Sequence, residues 1–443
     1  MNDIVFDTSI TSLGRVGINS PLSNNDRAEN QNYITEQDRV LVHIRVEEVA
    51  ANLEKNISPP SFEVAGPRRK IYFDPSKLRC ALVTCGGLCP GLNDIIRSIV
   101  LELSYGYGIR NIYGMRYGLQ GFIPKYGHEV IDLTPAAVTN ILDRGGSILG
   151  SSRGPQDMEE IVDCLERMNI GILFMIGGDG TMKAAVKIAD AVLERGLKIS
   201  VVGIPKTIDN DINLISRSFG FDTAVDVSTQ AIIGAHNEAA GYPNGIGLIK
   251  LMGRHSGFIA STASLAQQDV NFVLIPEVDF DLEGPHGFLA ALEKRLTSRG
   301  HAVIVAAEGA GQRFFQNSPE ERDESGNIRL KDIGVFLKST IANHFKSRGI
   351  ETNIKYIDPS YMIRSLPANA NDSVYCGFLG RNAVHAGMAG KTKVVIGRWN
   401  NHFVHIPMEA TTTKRKQVSP NGELWSAVLS ATGQGSLKNN QQG

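Results

Sequence analysis

The chain has 443 residues, of which 42% are hydrophobic and 21% charged, a composition typical of a soluble globular protein with more than one core. Its 45 basic and 46 acidic residues nearly cancel, which argues against general binding to nucleic acid or anionic membranes but leaves room for a local basic pocket. No apolar run reaches about 18 residues, so no membrane span is expected.

The N-terminal residues and the cysteines both indicate a cytoplasmic protein. The first residues lack the basic and apolar segments of a secretory signal. An odd set of five cysteines in a long chain predicts reduced thiols. Cys85 and Cys89 are spaced like half of a metal site, but no second Cys/His pair follows, which favours buried thiols.

Residues 1–70 are polar and irregular and are predicted to form an N-terminal extension. One amphipathic stretch, from about Arg39 to Leu53, is compatible with a helix. We expect an arm that packs on the surface or on a neighbouring subunit. At the other end, residues 433–443 (GQGSLKNNQQG) are predicted to be a disordered tail.

Between these ends, apolar runs end in glycine-rich turns and are followed by amphipathic segments. CALVTCGG precedes LNDIIRSIVLEL, and IGILFMIGGDG precedes TMKAAVKIADAVLERG. Buried strands that alternate with helices predict parallel sheets covered on both faces. Because the second half repeats the pattern, the predicted fold class is α/β: two Rossmann-like lobes with largely parallel sheets flanked by helices.

Ligands bind such sheets at the carboxyl ends of the strands, where the first glycine-rich turn lies. This turn is 86–91 (GGLCPG) and contains Gly86. Its glycines let backbone N–H groups approach an anion, and the following helix adds its positive end. About half of such turns are only tight connections, and this one has neither the Walker A nor the G-x-G-x-x-G spacing.

The second turn is 177–181 (GGDGT), with an acid between glycines directly before a helix. An Asp at that position is usually a helix cap. Flanking glycines remove all side-chain bulk, however, and a cap does not require that. Asp179 can therefore hold Mg²⁺ beside phosphates bound at the helix start.

The third turn is 205–211 (PKTIDND), where Asp209 and Asp211 follow a strand and can face the same way. One carboxylate can accept the proton of an attacking hydroxyl, and the other can orient it or engage Mg²⁺. Thr207 can bond a phosphate or sugar oxygen, and Lys206 can neutralise phosphate. The alternative is an exposed acidic turn, which the adjoining apolar strand disfavours.

Several further polar residues are candidates only when taken together. Arg254 follows Met252 and Gly253 at a strand end and can brace a phosphoryl group, although a surface arginine is the more common interpretation of this motif alone. Glu308 can bond sugar hydroxyls or be a loop acid. Arg153, and Lys355 and Arg364 on either side of Tyr361, can bind phosphate but are equally compatible with ordinary surface charge.

These segments together resemble the phosphofructokinase family from roughly Lys70 to Ala410. The matching segments, in the family's order, are CGGLCPGLN, LGSSRGP, GGDGT, PKTIDND, KLMGRHSG, AEGAG and YMIRS. The combination of PKTIDND with MGR is highly specific. The motif sequences are most similar to those of the plant-like and trypanosomal ATP-dependent branch. That branch itself resembles the pyrophosphate-dependent enzymes.

The resemblance implies transfer of a phosphoryl group from a donor to the 1-hydroxyl of fructose 6-phosphate. It implies Asp209 as general base, with Thr207, Arg254 and Lys206 also catalytic. It implies a donor site at Gly86, Arg153, Gly154, Gly178, Asp179, Gly180 and Thr181, and Mg²⁺ at Asp179 and Asp211. It implies a sugar-phosphate site at Thr207, Asp209, Asp211, Met252, Gly253, Arg254, Glu308, Lys355, Tyr361 and Arg364.

The resemblance also implies a division of the chain. A phosphoryl-donor-binding lobe is expected at 71–220 plus 363–415, and a fructose-6-phosphate-binding lobe at 221–362 plus 416–432. A homodimer or homotetramer is expected, with no nucleic-acid or membrane partner. The short bacterial enzymes place a cross-subunit Arg near Gly245, and this chain does not have it.

Two positions bear on the donor. Pyrophosphate enzymes usually have Asp where this chain has Gly180, and that side chain would crowd and repel the α-phosphate of a nucleotide. Pyrophosphate enzymes have Lys where this chain has Lys206, but the plant-like and trypanosomal ATP enzymes carry the same combination of Gly and Lys at these two positions. ATP is therefore the predicted donor, with pyrophosphate as the alternative. A lipid or NAD kinase would lack PKTIDND, and a non-catalytic regulatory subunit would be expected to lose site residues.

Overall fold

The computed structural model describes residues 7–24, 32–316, 319–322 and 328–439. They form two compact units. Unit 1 holds the described residues of Met1–Thr207, Ile212–Gly220 and Leu366–Arg415. Unit 2 holds those of Ile208–Asp211, Phe221–Ser365 and Lys416–Gly443.

Strands and helices alternate through most of the chain. The strands are β1 (Ile18–Asn19), β2 (Arg39–Leu41), β3 (Ser61–Val64), β4 (Lys70–Ile71), β5 (Arg79–Thr84), β6 (Asn111–Met115), β7 (Val130–Asp132), β8 (Ile172–Gly177), β9 (Ser200–Pro205), β10 (Gly245–Leu251), β11 (Phe272–Leu274), β12 (His301–Ala307), β13 (Asn353–Ile357), β14 (Val394–Trp399) and β15 (His402–Pro407). The helices are α1 (Val46–Glu54), α2 (Leu92–Leu101), α3 (Met158–Arg167), α4 (Asp179–Glu194), α5 (Phe221–Ala240), α6 (Phe258–Ala266), α7 (Phe288–Arg299), α8 (Ile333–Ser347), α9 (Ala370–Met388), α10 (Met408–Thr411) and α11 (Glu423–Thr432).

Unit 1 is built on a nine-stranded sheet in the order β2-β3-β15-β14-β9-β8-β5-β6-β7. The central strands from β14 to β6 are parallel, and the outer strands are antiparallel. Successive side chains face opposite sides of the sheet. Leu173 therefore joins the core shared with α3 and α4, while Ile172 contacts α9 at Gly387. Cover on both faces explains why β8 is apolar throughout.

Unit 2 is built on a parallel four-stranded sheet in the order β11-β12-β10-β13. Helix α5 packs closely on one face of this sheet. The approach leaves no room for a side chain at Gly247, where a Cβ would lie only 2.7 Å from the carbonyl oxygen of Ala235. The other face packs on α7 and α8 through a core that includes Leu248, Phe288 and Leu337. The expected α/β class with two largely parallel, helix-flanked sheets is confirmed.

The N-terminal extension is more integrated than predicted. Strand β3 pairs with β15 inside the nine-stranded sheet, and its Phe62 is fully buried. Burial alone would raise the pKa of the Glu63 carboxyl. Its hydrogen bond with His405 and the charges of Lys391 and Arg68 outweigh burial and hold that pKa well below its usual range. The expected surface arm is therefore wrong for β3, and the expected helix begins only at Val46, after strand β2.

The expected disordered tail is wrong for residues 433–439. Leu437 is buried, and Val273 in β11 donates its N–H to the Gln434 side chain at 2.7 Å. The Asn439 N–H donates to Asp281 at 2.9 Å. A buried leucine and several hydrogen bonds, among them these two, thus fasten a polar segment to unit 2. Residues 440–443 lie outside the described residues.

Candidate active site

The first glycine-rich turn follows β5 in unit 1. Gly86 has φ +83°, a left-handed conformation that favours glycine. Its N–H donates to the Ser152 carbonyl at 3.1 Å, and its carbonyl accepts from Ser151 Oγ at 2.6 Å. Lys206 Nζ donates to the Gly87 carbonyl at 2.7 Å. The structure therefore brings three predicted segments together: the turn 86–91, the loop 150–154 and the lysine after β9.

The second turn connects β8 to α4. The helix begins at Asp179, and its N-cap residue Gly178 provides no side-chain cap. A Cβ at Gly180 would meet no atom within 4 Å, and Gly180 needs no left-handed conformation. Neither packing nor backbone geometry requires glycine at position 180. This helix start thus leaves space and backbone N–H groups for an anionic ligand.

Asp179 lies in the first turn of α4 and pairs with Lys183 at 2.8 Å, one turn farther along. Thr181 is buried behind it. The Asp179 side chain is 27% exposed, so its carboxylate can still reach a ligand at the helix start. A partly exposed carboxylate at a helix start suits a hydrated Mg²⁺ ion that also binds substrate phosphates.

The loop 150–154 carries Arg153, which is exposed, and Gly154, which has φ +89°. Sequence reasoning missed its neighbour Tyr117. The Tyr117 N–H donates to the Leu149 carbonyl at 2.8 Å, and a Cβ at Gly150 would lie 2.7 Å from the tyrosine ring. Tyr117 has the left-handed φ of +56°, which is unusual for an aromatic residue. Its position after a strand, in RYG, was the available signal.

The segment 205–211 spans the boundary of the two units, since unit 1 ends at Thr207 and Ile208 begins a short part of unit 2. On the unit 1 side, Ser218 Oγ donates to the Thr207 carbonyl at 2.7 Å, and Lys206 is buried. On the unit 2 side, Asp209 and Asp211 are both half-buried. Partial burial restricts the freedom of both side chains.

The loop after β10 carries Met252, Gly253 and Arg254. Gly253 has φ +143°, and Arg254 has φ +48°, an uncommon conformation for a residue other than glycine. The Arg254 N–H donates to Glu308 Oε1 at 2.9 Å, and the Glu308 N–H donates to the Leu251 carbonyl at 2.8 Å. The structure therefore locks these two predicted site residues together at the carboxyl ends of β10 and β12. Strained backbone of this kind is common at functional sites.

Tyr361 and Arg364 follow β13 at the same edge of the sheet. The guanidinium of Arg364 lies 4.7 Å from the centre of the Tyr361 ring, and the Tyr361 side chain is exposed. Lys355 is placed differently. It pairs in register with Gly247, well before β10 ends, and its Nζ contacts Glu238 at 3.4 Å. The structure does not bring Lys355 together with Arg254 and Glu308.

A second residue that sequence reasoning missed is Glu277, which follows β11. Burial raises the pKa of this carboxyl. Its Oε1 accepts from the N–H of Gly257 at 2.9 Å and from the N–H of Val418 at 2.8 Å. Glu277 therefore joins the loop after Arg254 to the segment around Val418. An acid directly after an apolar strand, in LIPE, was the available signal.

The described residues contain no group of three or more His, Cys, Asp or Glu side chains that could hold a metal ion. All five cysteines lie in the described part of the chain and are buried, as expected for Cys85 and Cys89. No helix there is long and apolar enough to cross a bilayer.

Sequence comparisons give close relatives of nearly equal length. The chain is 51% identical over 442 residues to an ATP-dependent 6-phosphofructokinase of Borreliella burgdorferi, covering 98% of each chain. It is 46% identical to an enzyme of the same name from Amycolatopsis methanolica, covering 96% of this chain and 94% of that one. An ATP-dependent 6-phosphofructokinase 7 of Arabidopsis thaliana is 48% identical over 85% of this chain and 77% of its own.

Solved structures with the same fold are more distant in sequence. A pyrophosphate-dependent phosphofructokinase from Marinobacter aquaeolei matches with a TM-score of 0.66 at 20% identity, covering 81% of this chain and 92% of that one. A T-state phosphofructokinase of Pichia pastoris matches with a TM-score of 0.62 at 20% identity, covering 85% of this chain and 38% of that one. The family model described as phosphofructokinase matches residues 79–387, and the chain therefore belongs to the phosphofructokinase family.

Proposed function

We propose that this protein is an ATP-dependent 6-phosphofructokinase, which transfers the γ-phosphoryl group of ATP to the 1-hydroxyl of fructose 6-phosphate in glycolysis. The observation that carries the proposal is the open start of α4. There Gly178, Asp179 and Gly180 leave free space beside helix N–H groups, and no packing reason requires glycine at position 180. The named activity of the close relatives agrees with this assignment.

The donor site belongs to unit 1. The turn at Gly86, the loop with Arg153 and Gly154, and the start of α4 up to Thr181 all lie there. Phosphate oxygens accept hydrogen bonds from the N–H groups at this helix start, and the Arg153 guanidinium neutralises phosphoryl charge. Open space at Gly180 suits a nucleotide, which carries an α-phosphate that pyrophosphate lacks.

Pyrophosphate is the second candidate donor, because the pyrophosphate-dependent enzymes carry a lysine at the position of Lys206. In the structure Lys206 Nζ donates to the Gly87 carbonyl, so this lysine braces the donor turn. A bracing role does not depend on whether the donor is ATP or pyrophosphate. Lys206 is therefore compatible with ATP, and the proposal of ATP as donor rests on Gly180.

The sugar-phosphate site belongs chiefly to unit 2. Asp209 accepts the proton of the 1-hydroxyl, and Arg254 stabilises charge on the phosphoryl group in flight. Thr207, at the end of the unit 1 segment, bonds a phosphoryl or sugar oxygen. Met252, Gly253, Glu308, Tyr361 and Arg364 line the sugar-phosphate site.

The residues present fit Mg²⁺. This ion takes oxygen ligands and is usually held by one or two carboxylates together with substrate phosphates, so a dedicated protein cage is not required. Asp179 would hold it at the start of α4 in unit 1, and the family resemblance adds Asp211 as a second candidate ligand. When bound, Mg²⁺ supplies neutralisation of negative charge on the donor phosphates. The rest of catalysis consists of positioning and charge stabilisation by the residues above.

We further propose a cytoplasmic homodimer or homotetramer, with no nucleic-acid or membrane partner. A regulatory subunit without activity is the alternative of another class. It is disfavoured because Asp179, Asp209, Asp211 and Arg254 are all present.

Product analysis tests the assignment. Purified protein is incubated with fructose 6-phosphate and MgATP, and ³¹P NMR follows the reaction. The expected result is ADP together with a new phosphomonoester at the sugar 1-position. In Asp209→Asn, an isosteric change that removes the base, that signal should appear at least ~100-fold more slowly. A wild-type protein that binds fructose 6-phosphate but forms no product with either ATP or pyrophosphate would establish the regulatory-subunit alternative instead.

A further inference from the structure

Three consecutive residues, Asp209 to Asp211, are held by other parts of unit 2. Ser256 Oγ donates to the Asp209 carbonyl at 3.2 Å. Lys416 makes two further bonds: its backbone N–H donates to the Asp211 carbonyl at 2.8 Å, and its Nζ donates to Asn210 Oδ1 at 3.1 Å. The Lys416 side chain thus contacts Asn210, which lies between the two carboxylate residues. The Lys416 backbone contacts Asp211.

The conformation of Asn210 gives this contact its importance. Asn210 has φ +53°, in the left-handed region, and is 8% exposed. A left-handed residue turns the chain locally, so its dihedral angles determine how the side chains of Asp209 and Asp211 are directed. Asn tolerates this region better than most residues, and a charged donor on its side-chain oxygen holds it there.

Contacts within unit 2 fix both Lys416 and the segment that follows it. Its Nζ lies 5.0 Å from the centre of the Phe258 ring, in the first turn of α6. Val418, two residues along, donates its N–H to Glu277 Oε1, which also accepts from Gly257 in the loop after Arg254. The segment 416–418 and the Arg254 loop therefore share one carboxylate anchor.

We propose that Lys416 is a positioning residue for the catalytic carboxylates, acting through Asn210 and the backbone of Asp211. This inference rests on the proposed function, in which Asp209 is the base.

The test uses three single variants of the full-length protein. Lys416→Met keeps the length and apolar contacts of the side chain but removes the ammonium. Lys416→Arg keeps a charged donor. Lys414→Met is the matched control, because Lys414 lies in the same basic run and is exposed. We expect Lys416→Met to lower kcat by roughly 10–100-fold while KM for both substrates changes little, since misplaced catalytic groups slow the chemical step. Lys416→Arg should recover most of that loss, and Lys414→Met should match the wild type.

A second readout does not depend on activity. Hydrogen–deuterium exchange of peptides that cover 206–214 should be about 10-fold faster in Lys416→Met than in wild type, with the remaining peptides unchanged. If the wild-type protein proves inactive on fructose 6-phosphate, the proposed function fails, yet this exchange measurement still decides whether Lys416 orders the segment. Unchanged exchange there, or a kcat within twofold of wild type in Lys416→Met, would overturn the proposal.

A double variant tests the route through Asn210. Asn210→Gly keeps the left-handed backbone accessible but deletes the oxygen that Lys416 contacts. If Lys416 acts through this oxygen, Lys416→Met should cost less than about threefold in kcat when added to Asn210→Gly. Full additivity of the two losses would contradict the mechanism, as would an undiminished kcat in Asn210→Gly.

Discussion

Gly180→Asp is the change that separates the two donors most sharply. The substitution places a carboxylate in the first turn of α4, where a Cβ meets no protein atom within 4 Å. The fold should tolerate it well, because glycine is a poor helix former and an acid near a helix N-terminus is favourable by about 0.3–1 kcal/mol. Loss of activity in this variant therefore cannot be ascribed to unfolding.

The magnitude follows from electrostatics. Two unit charges 4 Å apart at an effective dielectric constant of about 20 repel by about 4 kcal/mol. Solvent and the bound cation reduce this repulsion, so we expect a loss of roughly 2–3 kcal/mol, or about 30–150-fold in kcat/KM for ATP. Pyrophosphate has no α-phosphate and should lose less, so the ratio of the two donors' kcat/KM values should move toward pyrophosphate.

The assay measures initial rates with both donors at saturating fructose 6-phosphate, and thermal unfolding confirms the fold. Gly180→Asn is the control, since Asn has nearly the same volume as Asp but no charge. It should retain most ATP activity. If Gly180→Asp uses ATP within threefold of wild type, the donor does not lie at this helix start. If Gly180→Asn loses as much as Gly180→Asp, bulk is responsible and the electrostatic reasoning is refuted.

The remaining predictions concern the base, a packed glycine and a buried histidine. Asp209→Asn should keep the wild-type melting temperature and the KM for ATP but lose at least ~100-fold in kcat, and wild-type turnover would remove Asp209 from its role. Gly91→Ala should destabilise unit 1 by about 2–4 kcal/mol in urea unfolding, because Gly91 has φ +96° and a Cβ would lie 2.6 Å from Cys376 Sγ. Burial lowers the pKa of His385 to about 3, so the unfolded chain takes up its proton near pH 6.5 while the folded protein does not. Stability should therefore fall as the pH is lowered from about 6.5, by up to about 1.4 kcal/mol per pH unit from this residue, and His385→Gln should flatten the urea-midpoint profile. An equal slope in that variant would show that the folded protein protonates His385 as readily as the unfolded chain does.

The local pattern of apolar runs and glycines was sufficient to predict the parallel sheets. Because β8 and β9 are covered on both faces, their sequences are almost entirely apolar and are followed within two residues by site residues such as Asp179. Parallel strands place those ends along one edge of a sheet, so a motif at a strand end predicts a site without any knowledge of the register.

Features set by distant contacts could not be predicted in this way. Strand β3 is short and carries the acidic Glu63, whose charge is accepted in the core because His405, Lys391 and Arg68 pair with it. The tail shows the same limitation, since a buried leucine and several hydrogen bonds fasten a segment of polar composition.

The position of Lys355 illustrates a third limit. Sequence order places it near Tyr361 and Arg364, but the strand register places it beside Gly247, away from the edge that carries Arg254. Its phosphate-binding role stays a prediction. Conversely, Lys416 lies far from Asn210 in the sequence, and only the fold brings their side chains together.

The donor comparison tests the central claim most directly. Initial rates are measured for the wild-type protein with fructose 6-phosphate and Mg²⁺, using ATP and pyrophosphate at equal concentrations. We predict a strong preference for ATP, set by the open space at Gly180. A preference for pyrophosphate would contradict that assignment and would place Lys206 in control of donor choice.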